Sequence, residues 1–296
     1  MLSILIPVYN YNAFPLVLEL YKQCLECNLE YEIICQDDAS NAFLAENNEI
    51  NALENCHFSS NETNLGRGKN INKMAKKANY DWLLILDCDT FPQNSDFIKK
   101  YYFKIQKNDS SIVFGGILYE QKKPEKDQLL RWDYGHKRES LSVKKRKRKP
   151  NSSALTSNLL LKKELFSQYP FDENITKYGY EDLCFMITLE ANKIKAAHIE
   201  NPTFHLNLET SALFLDKTKT ALENLAYILN SKKADLKDSK IITVYSLLKK
   251  LKLTRFTAYL FNLFEDKISA QLISNKPSLL LFDLYKLGHF CKLQSE

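Results

Sequence analysis

Short, dense apolar runs alternate along this chain with stretches whose apolar residues recur at helical spacing. Segment 2–9, with Leu2, Ile4, Leu5, Ile6 and Val8, is apolar and ends at the polar Asn10-Tyr11-Asn12, which predicts a strand. Residues 14–28 carry Leu16, Leu18, Leu20, Tyr21 and Cys24 in a pattern consistent with a helix. Tyr31-Glu32-Ile33-Ile34-Cys35-Gln36 predicts a second strand ending at Asp37-Asp38-Ala39-Ser40. The polar stretch 40–55 reads as helical, and His57-Phe58-Ser59 as a short strand. Residues 68–79 predict a helix with Ile71, Met74, Ala75 and Ala78 on one face, followed by a strand at Leu83–Leu86. A helix over 95–107 and a strand at 111–116 complete the pattern. Strands alternating with helices predict an α/β fold: a Rossmann-like, mostly parallel sheet flanked by helices.

Residues 120–152 break this rhythm and read as a long loop containing the run Lys144-Lys145-Arg146-Lys147-Arg148-Lys149. Regular structure resumes with Ser157-Asn158-Leu159-Leu160-Leu161. Beyond about residue 212 the texture is helical to the end, with Ile241, Val244, Tyr245, Leu248 and Leu251 at i, i+3, i+4 and i+7 spacing. The chain therefore divides into residues 1–211 and a helical C-terminal extension, 212–296.

A chain of 296 residues with 45% apolar residues buries a sizeable core. The net charge of +5 suits anionic ligands or a membrane surface. Seven irregularly spaced cysteines argue against a disulfide framework, and Cys24 and Cys27 lack a second pair at metal spacing. The first residues lack the charged region of a secretory signal, and no run reaches the roughly eighteen apolar residues of a membrane span. The expected location is cytoplasmic, with peripheral contact at the inner face of a membrane as an option.

In open parallel sheets, ligands sit outside the carboxyl ends of the strands. That rule puts Tyr9, Asp38, Asp87 and Asp89 on one rim. Asp87-Cys88-Asp89 follows the apolar run Trp82–Leu86, and its paired carboxylates suit Mg²⁺ or Mn²⁺ carrying a diphosphate. Asp38 can accept a hydrogen bond from a base N–H such as N3 of uracil, or cap the next helix, with Ser40 an equal candidate for the cap. Asn64-Leu65-Gly66-Arg67-Gly68-Lys69-Asn70 reads as a loop entering a helix, fitting neither a Walker A loop nor G-x-G-x-x-G. Its Arg67 and Lys69 suit phosphates or a base, or simply an exposed turn. Glu181-Asp182 opens an apolar-faced helix, where acids suit the helix dipole or serve as a general base. His205 is either structural or a third metal ligand. The basic run is a solvated loop, or a contact for a phosphate-bearing acceptor or an anionic membrane. Without interleaved aromatics it does not support base stacking, and no nucleic acid is expected.

Taken together, these motifs resemble the family 2 glycosyltransferases, which have the GT-A fold. The similar segments are Ile6-Pro7-Val8-Tyr9-Asn10, Gln36-Asp37-Asp38-Ala39-Ser40, Asn64–Asn70, Leu86-Asp87-Cys88-Asp89 and Tyr178-Gly179-Tyr180-Glu181-Asp182, over roughly residues 1–210. Ala39 stands where the family usually has Gly, and Lys69-Asn70 departs from its usual small residue. The resemblance implies a metal-dependent inverting glycosyltransferase using a nucleotide sugar, most simply a UDP-sugar, and Mn²⁺ or Mg²⁺. The acceptor would be a hydroxyl of a glycan or lipid-linked molecule in cell-surface polysaccharide synthesis. It implies donor contacts at Pro7, Tyr9, Asp38, Asn64, Arg67, Lys69 and Asp87. It implies metal contacts at Asp89, Asp87 and His205, and acceptor contacts at Asn158, Gly179 and Tyr180. Asp182 would be the base, with Glu181 beside it.

Two other classes remain open from sequence. A GT-A-like nucleotidyltransferase usually has a Gly-rich basic turn after the first strand, whereas Pro7-Val8-Tyr9-Asn10-Tyr11-Asn12 has neither Gly nor Lys. A non-catalytic basic module for nucleic acid or anionic lipid leaves Asp87, Asp89, Glu181 and Asp182 without a shared purpose. The C-terminal helices carry lysines beside Phe256, Tyr259, Phe261 and Phe264, which suits packing on the catalytic part or a partner, or an in-plane membrane contact.

Overall fold

The computed structural model describes residues 1–175, 179–231, 236 and 239–295. The chain begins with β1 (Leu2–Val8), α1 (Phe14–Glu26), β2 (Tyr31–Asp37), α2 (Leu44–Asn48), β3 (Cys56–Ser60), α3 (Arg67–Lys77) and β4 (Trp82–Leu86). There follow β5 (Thr90–Pro92), α4 (Phe97–Lys107), β6 (Ile112–Phe114), β7 (Ile117–Leu118), α5 (Leu129–Tyr134) and α6 (Val143–Arg146). Then come β8 (Asn158–Lys162), α7 (Lys163–Gln168), α8 (Glu181–Ala191), β9 (Ala197–His198) and β10 (Thr203–His205). The last four helices are α9 (Ser211–Ser231), α10 (Lys240–Lys250), α11 (Thr254–Ile273) and α12 (Leu279–Leu293).

Among the described residues, seven strands form one sheet in the order β3-β2-β1-β4-β8-β6-β9. Only β8 runs against its neighbours β4 and β6, so the sheet is mostly parallel. A smaller sheet, β5-β10-β7, stands beside it. The apolar runs in β1 and β4 are continuous because both sheet faces are covered. Leu84 and Leu86 join the layer of α1 and α4, while Leu83 and Ile85 join the layer of α3, α7 and α8. That is the period-two alternation of a strand between two helical layers. The fold is the Rossmann-like GT-A architecture expected above.

The C-terminal helices pack on the site-bearing elements. Cys184 and Ile187 of α8 share a core with Leu222 and Leu225 of α9, Ile242 and Tyr245 of α10 and Phe290 of α12. Leu130 of α5 shares another with Leu215, Phe261, Phe282 and Tyr285. Helix α8 is thus buried on two sides. Among the described residues, no helix is long and apolar enough to cross a membrane. The described cysteines are free thiols.

Two expectations change. Residues 40–55 are less helical than their polarity suggests: Phe43, in a left-handed conformation with φ 62°, delays α2 to one short piece, followed by a 3-10 turn at Glu49–Ala52. Residues 120–152 are not a plain loop. They hold α5, a π-helical turn at Gly135–Glu139 and α6. The basic run is not wholly solvated either, because Arg146 is 1% exposed. Its guanidinium donates to the carbonyls of Phe114 (3.3 Å), Gly115 (3.2 Å) and Ile199 (3.0 Å), over the Phe114 ring. Burial lowers the affinity of this guanidinium for its proton, and the carboxylate of Glu200, 4.0 Å away, compensates only in part. Arg146→Met should strip a donor from three carbonyls, of which those of Phe114 and Gly115 keep the amides of Ile199 and Asn201, and cost about 3 kcal/mol. Urea unfolding checks this; an unchanged midpoint would make Arg146 a surface residue in solution.

Candidate active site

The carboxyl ends of β1, β2 and β4 share one rim because the three strands are parallel and in register, Val8 beside Asp37 and Leu5 beside Ile85. The Asp38 amide donates to Val8 O at 2.8 Å. The Asp38 side chain is 4% exposed, and its carboxylate accepts from Asn61 Nδ2 (2.9 Å), Leu65 N (2.8 Å) and Gly66 N (2.9 Å). Neither Asp38 nor Ser40 caps α2. Asp37 folds the turn by accepting from the Ser40 amide and hydroxyl, and Ala39 takes a left-handed φ of 62°. Pro7 is buried within β1, and Tyr9 stands exposed at the rim.

Asp38 thereby fixes the loop that enters α3. Asn64 is exposed and its Oδ1 accepts from Gly66 N at 3.0 Å. Gly66 has φ +82°, a conformation that Gly adopts without the Cβ penalty. Lys69 lies half-buried in the first turn of α3. Arg67 is engaged by acids of the rim. Its guanidinium joins two acids that are distant in sequence: Nε and Nη2 donate to Asp87 Oδ1 at 3.0 and 2.6 Å, and Nη1 to Asp182 Oδ1 at 3.0 Å. Nη1 also donates to Thr156 Oγ1 at 2.8 Å. Flanking carboxylates keep Arg67 protonated despite its burial. Burial pushes the Asp87 carboxyl up, against the pull of Arg67.

Asp182 opens α8. Its Oδ1 also accepts from the Thr156 hydroxyl, and its Oδ2 from Thr156 N at 3.1 Å. The preceding Gly179 and Tyr180 both have positive φ, 94° and 67°. A Cβ on Gly179 would lie 2.5 Å from Ala221 Cβ, so α9 approaches the turn as closely as only Gly permits. Tyr178 of the same motif lies outside the described residues. Beside Asp182 is a cavity of about 330 Å³, whose lining includes Tyr180, Tyr134, Phe214, Phe282, Lys286 and Glu139. Residues 212–296 supply several of its walls.

Glu181 differs from its neighbour. One of its carboxylate oxygens is buried without a hydrogen-bond partner. Burial, then the charge of Asp182, push its pKa up to about 7, Arg67 opposing. A carboxyl raised in the folded state stabilises the fold below its unfolded pKa, near 4.5, and loses that contribution as pH rises through about 7. Glu181→Gln should therefore gain roughly 2 kcal/mol relative to the parent between acid pH and pH 8. Urea unfolding of both proteins across that range reads this out; parallel curves would contradict a Glu181 carboxyl raised by its surroundings.

On the other side of Asp87, His205 Nε2 lies 3.5 Å from Asp89 Oδ2. Burial, aided by Arg131, lowers the His205 pKa to about 4, so the imidazole is neutral at neutral pH. Its Nδ1 is buried without a partner. The ring stacks on Tyr119, whose hydroxyl donates to Glu139, and Arg131 donates to both Glu139 (3.0 Å) and Tyr119 (2.8 Å). Burial opposes the ionisation of Glu139, yet Arg131 and Tyr119 outweigh it and hold its carboxyl below the usual range. Among the described residues, no three His, Cys, Asp or Glu side chains are arranged around one point as for a metal. Asp89 and His205 form a pair, while Asp87 is drawn to Arg67. Two protein donors still fit a cation that takes its remaining ligands from water and a diphosphate, and the mixed oxygen and neutral imidazole set suits Mn²⁺.

Asn158 lies at the start of β8. It is 0% exposed, donates to Gly116 O and Asn201 O at 2.9 Å each, and accepts from the Tyr101 hydroxyl at 2.6 Å. Its side chain ties β8 to the strand crossings behind the rim. Sequence reasoning missed Thr156, the Tyr119–Arg131–Glu139 group and the aromatic wall of the cavity. Thr156 sits two residues before Asn158, so only its neighbourhood was signalled; the others carry no local motif.

No curated protein sequence matches the chain. Its fold is similar to that of several solved proteins. S. aureus TarS 1–349 in complex with UDP-GlcNAc superposes with TM-score 0.52 and 19% identity, covering 80% of this chain and 68% of that one. Full TarS gives 0.54 and 17%, covering 99% of this chain, which spans 55% of that longer protein. The mannosyltransferase PcManGT from Pyrobaculum calidifontis, in complex with GDP-Man and Mn²⁺, gives 0.58 and 12%, covering 100% and 87%. At such identities the likeness speaks for the fold. Residues 3–169, more than half of the chain, match the family model for glycosyl transferase family 2. A chain whose sequence satisfies that model and whose rim gathers the acids of its motifs is a glycosyltransferase, and it belongs to glycosyl transferase family 2.

Proposed function

We propose that this enzyme moves a sugar, with inversion, from a nucleotide sugar to a hydroxyl of a glycan or lipid-linked acceptor. A UDP-sugar is the first donor to test, and cell-surface polysaccharide synthesis is the pathway class that suits such a transfer. The observation that carries the reading is the guanidinium of Arg67 joining Asp87 and Asp182, with the cavity beside Asp182. TarS with UDP-GlcNAc and PcManGT with GDP-Man and Mn²⁺ support the donor class by analogy of fold.

Asp182 is the base. Its Oδ1 is engaged by Arg67 and Thr156, while Oδ2 accepts from Thr156 N and has lone-pair capacity left for an acceptor hydroxyl. The carboxylate takes the hydroxyl proton as that oxygen attacks the anomeric carbon, and the bond to the nucleoside diphosphate breaks from the opposite side. Thr156 and Arg67 hold the base in one orientation. Asp89 and His205 would hold a divalent cation, Mn²⁺ or Mg²⁺, which supplies charge neutralisation for the diphosphate. No protein acid is then needed on the leaving oxygen, unlike glycoside hydrolysis. Tyr9, at the rim, and Asp38, through its remaining lone pair, face the base side of the donor. We assign the catalytic unit to residues 1–211, with 212–296 completing the acceptor cavity around Phe214, Phe282 and Lys286.

A donor screen tests this. Nucleotide release is measured from a panel of UDP- and GDP-sugars with Mn²⁺, then with chelator. Release from one donor that chelation abolishes is the expected result. A chain that releases nucleotide from none of them, yet forms a nucleotide sugar from sugar phosphate and UTP, would be a nucleotidyltransferase.

A further inference from the structure

The C-terminal helices bury one face and leave a second apolar face uncovered. On α11, Phe256, Tyr259, Leu260, Leu263 and Phe264 recur at i, i+3, i+4, i+7 and i+8. Phe256, Tyr259 and Leu263 are 58, 66 and 61% exposed, although Phe261 of the same helix is buried in the core. On α10 and the turn after it, Val244, Leu247 and Leu251 recur at i, i+3 and i+7 and are exposed, while Ile242 and Tyr245 face inward. Leu280 and Leu284 of α12, which packs on α11, are exposed as well. An ordinary surface helix carries polar residues where these carry aromatic and aliphatic ones. So many exposed apolar side chains on adjacent helices exceed the scatter normal for a soluble surface.

The polar residues bordering this face choose its occupant. Segment 240–273 contains the cations Lys240, Lys249, Lys250, Lys252, Arg255 and Lys267, against the acids Glu265 and Asp266. Glu265 is already paired with Lys219 and Lys292. Lys249, Lys250, Lys252 and Arg255 crowd the junction of α10 and α11 and are exposed. A second copy of the chain would set this same basic junction against the stripe's own border, with like charges and few acids to receive them. An anionic bilayer complements both parts: lipid phosphates and carboxylates meet the lysines, and the acyl boundary meets the aromatic stripe. Tyr259 and Phe256 are side chains suited to that boundary. Because no described helix is long and apolar enough to span, the contact lies in the membrane plane.

We propose that the apolar, basic-edged face of α10 and α11 docks this enzyme on an anionic membrane surface. This does not rest on the donor or acceptor assigned above, so its failure would leave those readings standing.

The test is co-sedimentation of the full chain with phosphatidylcholine vesicles, with and without phosphatidylserine. The chain should pellet with the phosphatidylserine vesicles, less so as salt is raised. Tyr259→Glu with Leu263→Glu should lower partitioning by roughly tenfold or more, since both add charge to the inserted face. Lys249→Glu with Lys250→Glu and Lys252→Glu should separately lower it by roughly tenfold and remove the preference for phosphatidylserine. All five positions are exposed, and unchanged circular dichroism confirms folding; the lysine variant decides if the other fails to fold. Failure to pellet with either vesicle would overturn the proposal. Binding that neither variant weakens would overturn it too. Self-association in sedimentation velocity that Leu263→Glu abolishes, without vesicle binding, would assign the face to a second copy instead.

Discussion

Asp182→Asn should lower sugar transfer by about two to four orders of magnitude, the range by which positioned general bases accelerate proton transfer. Donor binding should stay within a few-fold, because Asp182 faces the cavity beside Tyr180, Phe214 and Phe282. The amide keeps the shape of the carboxylate, and its oxygen can still accept from Arg67 and the Thr156 hydroxyl, giving up only the bond from Thr156 N, so the fold should survive. What it loses is the ability to hold the acceptor's proton. Steady-state transfer assays with calorimetry of UDP binding separate the two effects. Full turnover by the variant would remove Asp182 from the base role and direct attention to Glu181, whose carboxyl near pKa 7 is the next available proton acceptor.

The second large effect is expected at Asp89. Asp89→Asn should reduce metal-dependent donor affinity by on the order of 100-fold or more, with transfer falling in step. Asp89 and the neutral imidazole of His205 are the only close carboxylate–histidine pair on this rim among the described residues. An Asn oxygen at the same place carries no charge for the cation. The loss should be specific to the metal-bearing state: in chelator, parent and variant should bind nucleotide equally weakly. Titration of UDP with and without Mn²⁺ reads this directly. A variant that retains the Mn²⁺ effect would move the cation to Asp87, which would first have to leave Arg67.

The parts of this enzyme legible in the sequence are those whose physics is local. Trp82–Leu86 is a strand because it is apolar throughout, and such runs occur where both sheet faces are covered. Asp87 and Asp38 stand at strand ends because the apolar run stops there, and the parallel sheet then gathers those ends on one rim. The pairings across the rim were not legible. Arg67 looked like a phosphate ligand because a Gly-flanked cation at a helix start usually serves anions. Its two carboxylate partners lie 20 and 115 residues away. Arg146 was hidden inside a run of six cations, and nothing local distinguishes it from its five exposed neighbours. Its burial is decided by the carbonyls of Phe114, Gly115 and Ile199, which the chain brings together only on folding. The resemblance alone gave Asn158 an acceptor role, and nothing local shows that the strand crossings engage both its donor and its acceptor. The aromatic wall of the cavity, Phe214 and Phe282, reads in sequence as ordinary helix core.

The most direct test of a shared cation-and-nucleotide cleft is a crystal grown with Mn²⁺ and UDP and measured at a wavelength where manganese scatters anomalously. A single strong peak within bonding distance of Asp89 and His205, with the diphosphate reaching toward Arg67, is the predicted result. A peak held by other acids, with the nucleotide away from Asp38 and Asp87, would contradict it.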